Sequence, residues 1–135
     1  MPGAKAYNNI NFYFYRQADF SPLVDENLSL EFEIKTTQKD FKLDVYFADK
    51  EDKTQGKNGL GWRAKISLRD KDGVNDGKWH KVSVPLKEFV DYGAWDIVWY
   101  PSEGLFSWQK VERLVFDFTD TDQTEECCLR NIVIK

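Results

Sequence analysis

Residues 28–34, LSLEFEI, and residues 41–47, FKLDVYF, decide the fold of this chain. In both stretches apolar side chains alternate with polar or amphipathic ones. Successive side chains of a β-strand point to opposite faces of its sheet, so this period of two is typical of a strand that buries one face only. We therefore predict two strands here, each with a core face and an outward face.

The same alternation recurs along the rest of the chain. Turn-forming residues separate the runs, among them Asp72-Gly73 and Asp76-Gly77, while only residues 87–91 and 107–113 suggest a short helical turn. About seven two-faced strands with turns between them predict an all-β fold, an antiparallel β-sandwich with two facing sheets. The five further runs are Ile10 to Tyr15, Trp62 to Leu68, Lys78 to Leu86, Leu114 to Phe118 and Cys128 to Lys135.

Length and charge narrow the class of protein. The chain has 135 residues, 41% of them hydrophobic and 31% charged, which fits one folded domain spanning residues 1–135. No apolar run approaches the ~18 residues of a membrane helix. The net charge is −4 and basic residues are dispersed among acidic ones, which argues against nucleic acid as a partner. Residues 1–9 lack a basic start and an apolar stretch, so we expect no signal peptide there. We thus predict a monomer that binds neither nucleic acid nor membrane.

Neither the cysteines nor the acidic turns give a strong signal for a cofactor. Cys127 and Cys128 are adjacent, and neighbouring side chains of an extended strand cannot easily bridge each other, so we interpret both as free thiols. Neither of two oxygen-rich turns matches the twelve-residue calcium loop, and a solvated acidic turn is the commoner case. We predict no metal and no other cofactor. The two turns hold Asp70, Asp72 and Asp76 in one and Asp120, Asp122 and Glu126 in the other.

The sequence offers little to a catalytic mechanism. Its one histidine, His80, falls on the inward side of a predicted strand, where packing or hydrogen bonding is a commoner role than catalysis. There is no Gly-x-Ser-x-Gly motif, phosphate-binding glycine loop or zinc-binding histidine pair. Carboxylates are plentiful, so an acid pair of the glycosidase kind stays open as an alternative, but most of them lie in turns. We predict that the domain is not an enzyme and has no catalytic residues.

Aromatic residues are the informative feature: 5 Trp, 6 Tyr and 10 Phe make up 16% of the chain. A core of this size does not need so many Trp and Tyr side chains, and exposed aromatic residues commonly bind a ligand. A flat ring covers the C–H face of a sugar, and each such stack is worth on the order of 1.5 kcal/mol. The segment from Phe89 to Trp108 is rich in rings and lacks alternation, so we predict a long functional loop.

Most of the candidate rings also have a purely structural interpretation. We expect Trp79 and Trp108 to pack in the sandwich. Trp62 has core parity but starts its strand, so both the core and the rim of the sheet stay open for it. The rings that either bind a ligand or only cover the sandwich are Trp95, Trp99, Tyr13 and Tyr15.

The C-terminal half of the chain carries a family resemblance. The segments are GKWHKVSVPLKEF at 77–89, then an aromatic loop, FSWQKVERLVFDF at 106–118 and CCLRNIVIK at 127–135. They resemble the glucan-binding β-jelly-roll carbohydrate-binding modules of bacterial plant-cell-wall hydrolases, and LSLEFEIK, FKLDVYFAD and GWRAKISL fit the same order. The opening Asp-Asp-Phe-type segment, which often helps to hold a structural calcium in that family, is absent here. The matching features are Trp79, Pro85-Leu86, Trp108 with Val111, and Asn131-Ile132.

The resemblance implies a function and a set of site residues. It implies a jelly-roll sandwich in a secreted, non-catalytic module that binds cellulose-like, mixed-linkage or xyloglucan chains and targets a covalently linked hydrolase. The net acidic charge favours a neutral polymer over a polyanion such as pectin. The alternative is a structural or protein-docking sandwich of a larger glycoside hydrolase. The implied carbohydrate-binding residues are Asp91, Tyr92, Trp95, Trp99 and Tyr100 from the loop, and Tyr13, Tyr46, Trp62 and Arg63 from the sheet.

Overall fold

The computed structural model describes residues 9–52, 54, 56, 59–96, 98–118 and 127–135. Within this part the chain forms nine strands and one short α-helix, α1 (Ser21–Asp25), with 3₁₀ turns at Asp70–Asp72, Leu86–Glu88 and Trp108–Lys110. Two of these turns lie close to the helical turns predicted from the sequence. The strands are β1 (Asn9–Ala18), β2 (Ser29–Thr36), β3 (Lys42–Asp49), β4 (Arg63–Arg69), β5 (His80–Pro85), β6 (Val90–Asp96), β7 (Val98–Pro101), β8 (Val111–Asp117) and β9 (Cys127–Ile134).

The strands form two sheets. One has six strands in the order β1-β8-β3-β4-β6-β7, and the other has three in the order β5-β2-β9. Every strand pair in the described part is antiparallel. The predicted β-sandwich is therefore confirmed, and each of the seven runs of alternating residues forms a strand.

The core lies between the two sheets and follows the alternation. Phe32 and Ile34 of β2 are buried on one side, and Val45 and Phe47 of β3 are buried on the other. Phe32 meets Phe116 of β8 across the sandwich, with ring centroids 5.2 Å apart and planes at 89°. Each such side chain removed from water stabilises the fold by about 1.5–3 kcal/mol. A register slip of one residue would turn these rings outward, so the core fixes the register.

The segment from Phe89 to Trp108 differs from the expected irregular loop. It contains β6 and β7, an antiparallel hairpin that extends one edge of the six-stranded sheet. The alternation is absent here because the hairpin buries little: Val90, Trp95 and Val98 are all exposed. Its aromatic and β-branched residues nevertheless favour extended backbone.

The two tryptophans expected to pack in the sandwich differ in their surroundings. Trp108 packs on the core, with its ring centroid 5.2 Å from that of Phe47 and 4.9 Å from that of Phe106. Trp79 is half-buried beneath Arg130, whose guanidinium carbon lies 3.8 Å from the ring centroid. No helix in the described part of the chain is long and apolar enough to span a membrane.

Candidate functional site

One face of the six-stranded sheet points away from the core, and we call it the outer face. Cross-strand pairing places Tyr13, Arg113, Ala48, Arg63 and Gly93 in one line across β1, β8, β3, β4 and β6, which we call the central row. Neighbouring strands are about 4.8 Å apart, so the central row is about 19 Å long. A linear ligand that runs across the strands can contact the whole row.

Cationic side chains lie against aromatic rings in the middle of the outer face. The guanidinium carbon of Arg63 is 4.6 Å from the ring centroid of Tyr46 and 5.6 Å from that of Trp99. Two residues farther along β4, Lys65 places its Nζ 3.5 Å from the ring centroid of Tyr92. Cation–π attraction of this kind favours these positions and keeps the charged groups at the surface beside the rings.

Tyr13 and Arg113 form the β1 end of the central row. Tyr13 is 66% exposed, and the guanidinium carbon of Arg113 lies 5.9 Å from its ring centroid. Arg113 Nη1 also donates a hydrogen bond to Asn11 Oδ1 at 3.1 Å. An exposed ring thus stands beside an arginine and an amide, which together offer one apolar surface and several hydrogen-bonding groups.

Trp99 covers Gly93 at the opposite end of the row. Gly93 has φ +125°, and a Cβ added to it would lie 2.6 Å from Trp99 Cζ2 and 2.5 Å from the Tyr100 carbonyl oxygen. Only glycine combines this backbone conformation with so close an approach of the indole. The Trp99 ring also lies 4.8 Å from the ring of Tyr92, centroid to centroid. The hairpin therefore holds Trp99 against the sheet.

Trp95 extends the aromatic surface beyond the central row. It pairs with Trp99 across the β6–β7 hairpin, and directly paired residues of an antiparallel hairpin share a face. Trp95 is 58% exposed and Trp99 is 38% exposed. The two indoles make the hairpin end the richest in aromatic surface among the described parts of the outer face.

The structure places three of the nine residues implied by the resemblance away from the outer face. Asp91 pairs with Ala64 of the core face, and Tyr100 pairs with Ala94 on the side opposite Trp99. Trp62 is only 1% exposed, which favours the core over the rim as its environment. The six residues on the outer face are Tyr13, Tyr46, Arg63, Tyr92, Trp95 and Trp99.

Tyr46 lies on the outer face but offers no ring to a ligand. It is 3% exposed, since Arg63 lies over it, and this burial raises the pKa of its hydroxyl. Its place is therefore beneath the binding surface, as a support for Arg63. The alternation predicts that Tyr46 points outward, as it does. Alternation gives only the direction of a side chain, however, and not which other side chain covers it.

Arg113 is the residue of the outer face that the sequence analysis did not identify. The alternation predicts a strand from Leu114, whereas β8 begins at Val111 and includes Arg113. Extending the alternation backward by one residue would have placed Arg113 opposite in direction to Leu114, hence outward. The alternation predicts that Lys65 and Asn11 point outward, and the strand pairing places both on the outer face.

Asp49 joins three segments at one end of the sheet. Its Oδ1 accepts a hydrogen bond from the Trp62 amide at 2.9 Å, and its Oδ2 accepts one from the Ser107 amide at 3.1 Å. The residue is 1% exposed. Burial raises the pKa of Asp49 to about 7, although the Lys110 charge and the two amides favour the ionised form. The carboxyl group links the end of β3 to two other segments: Trp62, which precedes β4, and Ser107, which precedes the 3₁₀ turn before β8.

The carboxylates of the three-stranded sheet are paired with cations. They line a shallow cavity of about 310 Å³ on the outward face of that sheet. Glu31 Oε1 lies 3.2 Å from Lys81 Nζ, and Glu33 Oε2 accepts hydrogen bonds from Asn131 and Arg130. The hydrogen bond from Lys81 lowers the pKa of Glu31, and that from Asn131 lowers the pKa of Glu33. Two carboxylates held ionised provide no general acid for glycoside hydrolysis.

The carboxylates of the first acidic turn contact backbone amides and a histidine side chain of this protein. Asp70 Oδ1 accepts from the Phe41 amide at 2.7 Å, and Asp76 Oδ1 lies 2.7 Å from His80 Nε2. Asp72 Oδ2 accepts from the Arg69 amide at 2.7 Å. Among the residues that the structure describes, no three potential metal ligands cluster. The second acidic turn, with Asp120, Asp122 and Glu126, lies outside the described residues.

The profile of the family described as Carbohydrate binding domain 30 matches residues 3–135. Members of this family are carbohydrate-binding modules, which are non-catalytic. No curated protein sequence matches the chain.

Solved structures give the same fold at low sequence identity. A crystal structure of a family 30 carbohydrate-binding module superposes with TM-score 0.64 and 20% identity over 94% of this chain and 66% of that chain. The family 30 module of the cellulosomal cellulase Cel9D-Cel44B of Clostridium thermocellum superposes with a TM-score of 0.60 and 19% sequence identity. The match covers 97% of this chain and 69% of that chain. The family 11 module of the same organism, in complex with a β-1,3-1,4-mixed-linked tetrasaccharide, superposes with a TM-score of 0.60 and 14% sequence identity. The match covers 96% of this chain and 69% of that chain.

Proposed function

We propose, because the chain belongs to the family Carbohydrate binding domain 30, that it binds plant cell-wall β-glucan along the central row of its outer face. The observation that carries the proposal is the line of exposed rings on one sheet face, with Tyr13 at one end and Trp99 and Trp95 at the other. The ligand bound by the similar family 11 module, a mixed-linked β-glucan tetrasaccharide, supports this substrate class.

The residues of the outer face divide into two roles. The exposed rings stack on the C–H faces of the sugars, and each stack removes apolar area worth on the order of 1.5 kcal/mol. The polar groups beside them, on Arg63, Lys65, Arg113 and Asn11, donate or accept hydrogen bonds at the hydroxyl edges of the sugars.

The biological role follows from attachment to an enzyme. We infer that the module is covalently linked to a hydrolase outside the cell, as the cellulosomal cellulase in the name of one similar structure suggests. We also propose that it acts as a monomer. Once bound, it keeps the linked catalytic domain at a high local concentration of its substrate. A module of this kind raises the rate on insoluble polysaccharide and leaves the rate on small soluble substrates unchanged.

The test is the affinity of tryptophan variants for a mixed-linked β-glucan tetrasaccharide, measured by calorimetry. We expect Trp99→Ala and Trp95→Ala each to weaken binding at least tenfold, about 1.4 kcal/mol, because each removes an exposed stacking surface. Trp79→Ala is the matched control, since that indole lies on the other sheet under Arg130. If both hairpin variants bind like the parent while Tyr13→Ala abolishes binding, the hairpin does not contribute to the site.

The exposed hairpin also supports a second candidate, docking on a neighbouring protein domain. Besides Trp95, the hairpin exposes Val90, at 66%, and Val98, at 53%, so both of its strands present apolar side chains to solvent. Under this alternative no oligosaccharide binds, and Trp95 becomes buried when the parent protein is intact. Tryptophan fluorescence quenching by acrylamide, compared between the isolated domain and the full-length protein, distinguishes the two.

A further inference from the structure

The outer face carries a positive charge although the whole chain is acidic. The described side chains that point outward from β1, β3, β4 and β8 include five cations and two carboxylates, whereas the net charge of the chain is −4. Charges farther away than a Debye length, about 8 Å in physiological salt, are largely screened. A ligand on this face therefore meets the local positive charge. The cations are Lys42, Arg63, Lys65, Arg69 and Arg113, and the carboxylates are Asp44 and Asp117.

Three of these cations, Lys42, Arg63 and Arg113, lack a carboxylate partner within the described part of the chain, and the two arginines lie on the central row. Asp44 is shared by Arg69, at 3.0 Å, and Lys65, at 3.8 Å. Arg63 makes no hydrogen bond or ion pair with a described residue, and its Nε is buried without a hydrogen-bond partner. Arg113 donates only to the neutral amide of Asn11. No described carboxylate neutralises either arginine, so both keep their charge for an anionic group of a ligand.

The two arginines lie on either side of a small residue at the centre of the row. Ala48 of β3 pairs with Arg63 on one side and with Arg113 on the other, so their Cα atoms are about 10 Å apart. A guanidinium presents a planar fork of donors that matches the two oxygens of a carboxylate. The centre of the row is thus suited to an anion, and its two ends are suited to sugar rings.

From this arrangement we propose that the outer face prefers acidic glycans, in which a sugar of the bound β-linked chain carries a carboxylate, as in a uronic acid. Arg63 and Arg113 receive that carboxylate, while Tyr13 and Trp99 stack on the sugars toward the ends of the row. The preference rests on the proposed function, that a glycan lies along the central row. It reverses the expectation from net charge, since the local charge of the binding face differs in sign from that of the whole chain.

A matched pair of ligands tests the preference. The first is a series of β-1,4-glucan oligosaccharides, and the second is the same series oxidised at C6 to glucuronate, so that only the carboxylates differ. We expect calorimetry in low salt to give at least tenfold tighter binding of the oxidised series, about 1.4 kcal/mol. We expect this difference in affinity to shrink in 0.5 M salt, because salt screens the attraction between the arginines and the carboxylates of the ligand. Equal or weaker binding of the oxidised series overturns the preference.

Substitutions at Arg63 assign the effect to this site. We expect Arg63→Gln to lower the ratio of oxidised to neutral affinity below about threefold, and Arg63→Lys to retain part of it, because lysine keeps the charge and loses the fork. Arg113→Gln is the second variant, and it lowers the ratio in the same direction. Arg130→Gln, on the other sheet, leaves the ratio unchanged.

The outcomes separate the preference from the proposed function. Neutral binding without a preference for the oxidised series contradicts the acidic specificity and leaves β-glucan binding intact. If the protein binds neither the neutral nor the oxidised series, both the acidic specificity and the proposed β-glucan binding are contradicted. A preference that survives Arg63→Gln and Arg113→Gln with unchanged thermal midpoints shows that the carboxylate binds elsewhere, which also overturns the assignment.

Discussion

The contact between Gly93 and Trp99 shows how one residue without a side chain can define a binding surface. The indole occupies the space in which any other residue at position 93 would place its Cβ. Trp99 contacts Tyr92, and its ring lies 5.6 Å from the Arg63 guanidinium. The position of the largest ring on the central row therefore depends on the glycine beneath it.

A substitution at this glycine should affect both binding and folding. We expect Gly93→Ala to displace the Trp99 ring and to weaken β-glucan binding by roughly tenfold, close to the effect of Trp99→Ala. The positive φ adds backbone strain of about 1–2 kcal/mol to the folded state, and the added Cβ, 2.5 Å from the Tyr100 carbonyl oxygen, raises that cost further. Calorimetry and a thermal midpoint give the two effects. Gly104→Ala is the control: its φ is +71°, and its added Cβ would meet nothing closer than 3.8 Å. If it weakens binding as much as Gly93→Ala, the Trp99 explanation is wrong.

At the scale of elements, the hairpin β6–β7 and the short turn before β8 perform different tasks. The hairpin brings Trp95 and Trp99 to the edge of the outer face. The 3₁₀ turn Trp108–Lys110 instead directs an indole inward, onto Phe47 and Phe89. Ser107 begins this turn by accepting a hydrogen bond from the Gln109 amide. Two aromatic segments close in sequence thus serve the ligand surface and the core separately.

The inward indole should contribute to stability and not to binding. We expect Trp108→Ala to cost about 3 kcal/mol of unfolding free energy, the lower end of the range for a core Trp because the ring is only partly buried. Tyr13→Ala, at a residue 66% exposed, should change stability by less than about 0.5 kcal/mol. Urea unfolding followed by fluorescence measures both. Equal stabilities of the two variants would place Trp108 outside the core.

At the scale of the whole molecule, Asp49 couples stability to pH. Its folded-state pKa of about 7 lies above the ordinary value of 3.8, so the folded state binds the proton more tightly than the unfolded chain. The stabilisation from this residue is complete below about pH 4 and is lost as pH rises through 7. The full difference is up to about 4 kcal/mol. Carboxylates with lowered pKa values, such as Glu31 and Glu33, oppose it by losing stability in acid.

The Asp49 contribution can be isolated by subtraction. We expect the unfolding free energy of the parent minus that of Asp49→Asn to fall between pH 4 and pH 7.5, because asparagine does not titrate. At pH 4 the variant should be less stable than the parent, since its amide accepts only one of the two backbone hydrogen bonds. A difference that rises with pH would mean that the two amides keep Asp49 ionised in the folded state.

The sequence by itself determined the fold class of this protein, because an alternation of period two in β2, β3 and β4 specifies both strand and buried face. It also singled out the aromatic residues and the outward parity of Tyr13, Tyr46 and Arg63. Alternation is a local property, so these inferences needed no knowledge of which strands are neighbours.

Only the tertiary structure decided which candidates share a surface. The hairpin could not be recognised from alternation, because an edge that buries little has no need of a polar and an apolar side. Likewise, the burial of Trp62 and Tyr46 depends on what packs over them, and the approach of Arg63 to Trp99 depends on β4 pairing with β6. Strand order joins residues far apart in the chain, and this long-range pairing creates the central row and its local charge.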